Sequence, residues 1–172
     1  MGSSLLKRKN EIRHALLSAD PEVLASRSGS SLEDAELHLS VLDVNYTVSL
    51  TDCEIRSPEG EPPEELEVII LDYILGASPA ERSGNWIAFR EIPNGNFYST
   101  NFKSNTETKL TQEFQGDIER FEEVAEKLDG TPITLGDSGF SFQVMPKFDM
   151  ALVFWNGGEE FQDRINVLFE SC

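Results

Sequence analysis

Two cysteines, Cys53 and Cys172, are all the thiol this 172-residue chain carries. There is no Cys-x-x-Cys pair, which excludes an ordinary four-cysteine iron–sulfur cluster or zinc site built by this chain alone. One disulfide is open to the two cysteines, and two free thiols are the simpler reading. Histidine is equally scarce: His14 and His38 fall in different predicted elements, so a metal triad built on imidazole is excluded. Basic residues are few, 14 Lys and Arg against 31 Asp and Glu, for a formal net charge of −17. Nucleic acid and anionic membranes both require phosphate to be neutralised by Lys and Arg, and neither is expected as a partner. No apolar run approaches the roughly 18 residues needed to span a bilayer. Lys7, Arg8 and Lys9 are followed by no apolar segment of a secretory signal, so a cytoplasmic location is the expectation. Neither Gly-x-x-x-x-Gly-Lys-Ser/Thr nor Gly-x-Gly-x-x-Gly occurs, so no phosphate cradle is read.

What the chain does have is 39% hydrophobic residues and 11 Phe, adequate for one core. Helical spacing of Leu5, Ile12, Leu16 and Leu17 predicts an N-terminal helix within residues 1–19, ahead of a single domain over 20–172. Asp20-Pro21 supplies an N-cap and a first-turn proline for a short helix ending near Gly29. Alternation at Leu37, Leu39, Val41 and at Val44, Tyr46, Val48, Leu50 predicts two strands with a turn near Asp43–Asn45, leaving His38 on the solvent side. Residues 54–67 read as an exposed loop. Pro62-Pro63-Glu64-Glu65 then starts a buried helix through Leu66–Leu75, ended by Gly76 and Pro79. Trp86–Glu91 alternates as a strand, and Pro93-Asn94-Gly95-Asn96 signals a hairpin returning through Phe97 and Tyr98. Ile118, Phe121, Ala125 and Leu128 line one stripe of a helix over 112–128. Strands at about 139–145 and 150–155 flank Pro146-Lys147. A turn at Asn156-Gly157-Gly158 leads to a closing helix or mixed segment over 159–169. The expected class is α+β, a mostly antiparallel sheet with helices packed against it.

Several ionisable groups sit where a core is expected. Asp72 and Tyr73 lie in the apolar helix. A buried carboxylate needs a partner, and Arg90 is the most attractive one. On a regular strand Arg90 shares a face with Trp86, and Glu91 points away. A Trp and an Arg two residues apart can stack on a flat ligand while pairing its carboxylate or phosphate, or can simply make a cation–π contact at the sheet face. Gly136-Asp137-Ser138-Gly139 reads as a tight turn in which Asp bonds backbone. It lacks the strand-to-helix context of a nucleophile elbow. Glu159 and Glu160 beside Gly157-Gly158 are paired carboxylates, suited to a divalent cation or to the start of a helix.

Leu71-Asp72-Tyr73-Ile74-Leu75, Gly84-Asn85-Trp86-Ile87-Ala88-Phe89-Arg90-Glu91 and Asn96-Phe97-Tyr98 resemble the motifs of an uncharacterised family. Gly136-Asp137, Met145-Pro146 and Trp155…Glu159-Glu160-Phe161…Val167-Leu168-Phe169 fit the same pattern. That family is a domain of unknown function found largely in anaerobic bacteria and archaea. Some members are fused to a cysteine-rich iron–sulfur module like that of corrinoid proteins. The resemblance implies an accessory or binding role around corrinoid or redox one-carbon chemistry. With no cysteine-rich module here, any cluster would sit on a partner. No catalytic residue carries over from the family, and the cofactor stays unknown.

Three functions follow as expectations. The first is a binding or accessory domain using Trp86, Arg90, Tyr98 and Asp72, with Trp155, Glu159 and Glu160 at a second edge. The second is a small-molecule enzyme doing acid/base chemistry through Asp72, Tyr73 or Glu159. The third is an adaptor whose acidic faces grip a basic partner. The partners admitted are thus a basic or redox protein and a small-molecule ligand.

Overall fold

The computed structural model describes residues 2–79, 83–158 and 161–171, with the side chains of residues 2–5 left aside. The fold is α+β with two antiparallel sheets, and the residues divide into two compact units. The first takes in residues 1–81 and 144–147, the second residues 82–143 and 148–172.

In the first unit, α1 (Gly2–Leu17) and α2 (Pro21–Ser28) form where the spacing and the cap predict. The Asp20 carboxylate accepts from Glu22 N–H at 2.9 Å, and Gly29, at φ 72°, closes α2 in the left-handed conformation. Four strands follow as a meander: β1 (Ser31–Glu33), β2 (Glu36–Val41), β3 (Val44–Ser49) and β4 (Ile55–Arg56). The β2–β3 turn is tighter than expected. Val41 pairs with Val44, and Leu42 and Asp43 both take positive φ, the twist a two-residue hairpin requires. His38 stands opposite Thr47 and is half-buried, with Nδ1 3.1 Å from Thr47 Oγ1, instead of lying free in solvent. α3 (Glu64–Gly76) buries Val68, Ile70, Leu71 and Ile74 and packs against α1 and α2. Three glutamates in its first turn complement the helix dipole.

The second unit departs further from expectation. β5 is only Trp86–Ala88, because the Glu91 carboxylate reaches back to accept from Ala88 N–H at 2.7 Å and winds residues 89–91 into a 3₁₀ turn. No hairpin follows. Asn94 adopts φ 65°, and Gly95 N–H donates to Ile92 O at 2.8 Å. Gly95 is required there: a Cβ would lie 2.0 Å from Phe89 O. A second 3₁₀ turn (Gly95–Tyr98) leads into α4 (Ser99–Phe102), a π-helical turn (Lys103–Glu107) and α5 (Thr108–Phe114), which run on without a break. Gln115 and Gly116 at positive φ then end α5, and Asp117 caps α6 (Ile118–Lys127) by accepting from Arg120 N–H at 2.9 Å. The single helix expected over 112–128 is therefore two. Leu128, past the end of α6, is 61% exposed instead of joining the stripe.

β6 (Thr131–Pro132), β7 (Ser138–Met145), β8 (Phe148–Trp155) and β9 (Arg164–Glu170) complete a five-stranded sheet ordered β5-β9-β8-β7-β6. The closing segment is thus a strand flanked by β8 and β5, where a helix or mixed segment was expected. Ile165, Val167 and Phe169 are its buried alternate positions. Phe114, Phe121, Ala125, Phe140, Phe154 and Ile165 form the core beneath α5 and α6. Phe121 meets Phe114 edge-on at 5.3 Å.

Candidate functional site

β5 stops at Ala88, which pairs with Leu168, while β9 begins at Arg164. The N-terminal half of β9 therefore has no strand on that side, and its amides need other acceptors. The π-helical arm supplies them. Glu107 Oε1 accepts from Val167 N–H at 3.0 Å and from Asn166 Nδ2 at 3.3 Å. One turn on, Thr111 Oγ1 accepts from Ile165 N–H at 2.9 Å and donates to Glu107 O at 2.8 Å. The arm is held off the strand by side chains instead of lying flush on it, and an open groove of about 760 Å³ remains between them.

Its walls come from Ala88 at the end of β5, the first 3₁₀ turn (Phe89, Arg90), the arm (including Phe102, Lys103, Glu107, Thr111 and Gln112) and β9 with its approach (Gln162 to Asn166, and Leu168). Phe89 and Phe102 lie face to face, 4.2 Å between centroids and 6° between planes, as an apolar surface of the groove. Two carboxylates line it, and both are committed: Glu107 to β9, and Asp163 to Gly157 N–H at 2.7 Å. Three cations line it as well, Arg90, Lys103 and Arg164, each exposed. Among the described residues no carboxylate pairs with any of them, whereas Arg120 pairs with Glu113 and Lys127 with Glu123 in the same unit. Arg164 instead lies over the Trp155 ring, 5.2 Å from its centroid.

Not all the residues expected to form a site come together. Arg90 lines the groove, but from a 3₁₀ turn, so the shared strand face with Trp86 does not exist. Trp86 is half-buried on β5 opposite Glu170, and Tyr98 is 66% exposed just before α4. Trp155 enters through Arg164. Asp72 does not pair with Arg90: Arg8 reaches it, with Nη2 2.6 Å from Oδ1 and Nε 3.4 Å from Oδ2. Tyr73 is a clip within the first unit. Its hydroxyl donates to Ser28 O at 2.6 Å and accepts from Lys147 N–H at 2.9 Å. Glu159 and Glu160 lie outside the described residues. Among the described residues no group of three or more His, Cys, Asp or Glu is placed to hold a metal ion.

Asp137 serves the turn expected of it, accepting from Asn156 N–H at 2.7 Å. Gly136 beside it has φ 70°, and a Cβ there would meet Phe154 O at 2.5 Å. Lys103, Glu107, Thr111 and Arg164 carried no local motif. The one available signal was the spacing of Phe102, Leu110 and Phe114, eight and then four residues apart, which fits one face of a helix.

Residues 20–172 match the family model described as Domain of unknown function (DUF3786). The chain belongs to that family. No curated protein and no solved structure matches it. The match begins at the Asp20 cap of α2 and takes in every residue of the groove. No helix among the described residues is long and apolar enough to cross a membrane.

Proposed function

We propose that the chain is a binding or accessory domain, and that the groove between the π-helical arm and β9 is its ligand site. The observation that carries this reading is the division of labour among the groove's charges. Its two carboxylates each accept from a backbone amide, and its three cations have no carboxylate partner among the described residues. Such a surface holds a ligand through preformed polar groups and offers no free acid and base facing each other. The acid/base alternative draws no support from Asp72 or Tyr73, both of which have structural partners. The finer reading places the domain beside corrinoid or redox one-carbon chemistry in an anaerobe. It rests on the family resemblance alone, with any chromophore or cluster borne by a ligand or partner.

The test is purification of the chain from its native host under anaerobic conditions, followed by absorbance spectroscopy and mass spectrometry of what co-purifies. Thr108→Trp, which narrows the groove, is purified in parallel. A small molecule retained by the parent and lost from the variant supports the groove as the site. A single stoichiometric protein retained equally by both would favour the acidic-adaptor reading instead.

A further inference from the structure

The geometry points to the chemical class of the ligand: a compact organic anion with carboxylate or phosphate groups on a flat ring, held by Arg90, Lys103 and Arg164 against Phe89 and Phe102. This rests on the groove being the ligand site. In a chain with 31 acidic and 14 basic side chains, three exposed cations on one groove concentrate positive charge on an otherwise acidic molecule. Elsewhere carboxylate pairs are present at Arg8–Asp72 and Arg56–Glu36 and, among the described residues, absent at Arg27 and Lys109. What sets the groove apart is that it brings three such cations, Arg90, Lys103 and Arg164, onto one surface.

The two acids that line the groove, Glu107 and Asp163, are directed at the Val167 and Gly157 amides and ion-pair with none of the three cations. Two guanidinium groups match the planar, two-oxygen edge of a carboxylate or phosphate, and Lys103 adds a point charge. The stacked Phe89–Phe102 pair supplies an apolar face for a ring, and about 760 Å³ suits a small molecule better than a folded partner. Carboxylate and phosphate share this chemistry, and the probes below separate them.

Trp155 lies 5.2 Å from the Arg164 guanidinium, so an anion drawing on Arg164 changes the ring's surroundings and its emission. The experiment titrates the full chain carrying Trp86→Phe, which leaves Trp155 as the one remaining tryptophan. The probes are benzene-1,3,5-tricarboxylate, phenyl phosphate and the neutral tricarboxamide. Amide chemical shifts of the unmodified chain are followed in parallel.

Expected are saturable emission changes with at least one of the two anions, shifts centred on Ile165, Asn166 and Lys103, and at least tenfold weaker binding in Arg90→Gln/Arg164→Gln. The preferred anion identifies the headgroup. All three cations are exposed, so the variants should melt with the parent, which separates lost binding from lost fold. Equal binding of the neutral tricarboxamide at the same amides would overturn the anion assignment and leave the groove standing as a site. Groove amides unmoved by all three probes would overturn the assignment. If the small molecule that co-purifies is also retained equally by the parent and Thr108→Trp, the groove itself is refuted.

Discussion

At the scale of single residues, the polar groups that looked like chemistry in the sequence are mostly joinery. Tyr73 carries a donated and an accepted hydrogen bond on one oxygen, linking α3 to Ser28 O and Lys147 N–H. Tyr73→Phe keeps the ring and strands both partners, so a loss of about 1–3 kcal/mol is expected in urea denaturation. Cys53 is 1% exposed, and burial pushes its thiol above the ordinary range, which disfavours the thiolate that reacts. In a Cys172→Ser background, Cys53 should resist a disulfide reagent at neutral pH until denaturant opens the fold. Labelling at the rate of a free thiol in native buffer would contradict this. Asp52 behaves oppositely. Its carboxylate accepts from Glu54 N–H at 3.0 Å, and this bond, with one from Ser49, holds its pKa below the usual carboxylate range. The folded state then binds the proton less readily than the unfolded chain. Its contribution is complete above the unfolded pKa of about 4 and disappears as pH falls through the lower folded value. The stability difference between the parent and Asp52→Ala should therefore be constant from pH 7 to about 5 and shrink below about 4.

At the scale of elements, the informative event is the substitution of a helical arm for a strand. Where β5 stops, Glu107 and Thr111 take over the amides of Val167 and Ile165. The π-helical turn spanning Lys103–Glu107 ends on the first of these two residues. Glu107→Ala with Thr111→Val should cost about 2–5 kcal/mol, since two part-buried amides lose their acceptors. Glu107→Gln retains an acceptor oxygen and should cost far less; a loss equal to that of the alanine variant would show that charge, and not acceptance, holds the arm.

This arm is also where the sequence was least legible. α2, α3, β2, β3, β7 and β8 were readable because caps, periodicity and turn residues agreed locally. Residues 86–114 were not. The alternation of Trp86 to Glu91 is a valid strand pattern, yet the Glu91 side chain ends it at Ala88 through a contact that alternation does not encode. Asn94-Gly95 is a genuine turn, but it opens a helix. The strand at 164–170 was missed: Ile165, Val167 and Phe169 alternate, but the apolar Leu168 between them blurred the period. Of the site, Arg90 and Trp155 were found as residues. Their surroundings could not be, because the groove is made by what β9 lacks.

At the scale of the whole molecule, the net charge of −17 and the groove's cations pull an anionic ligand in opposite directions over different distances. At about 0.01 M salt the screening length is about 30 Å, so the ligand feels the acidic molecule as a whole and is repelled. Near about 0.15 M it falls to about 8 Å, where Arg90, Lys103 and Arg164 dominate. At about 1 M, with a length of about 3 Å, those attractions are themselves screened. The affinity of benzene-1,3,5-tricarboxylate should therefore pass through a maximum near physiological ionic strength when followed by Trp155 emission. A basic protein gripping the acidic faces would instead lose affinity steadily from the lowest salt upward, because for it the long-range and short-range terms share one sign. A monotonic fall for the small anion would mean that the groove cations, and not the molecule's total charge, govern its approach at every distance.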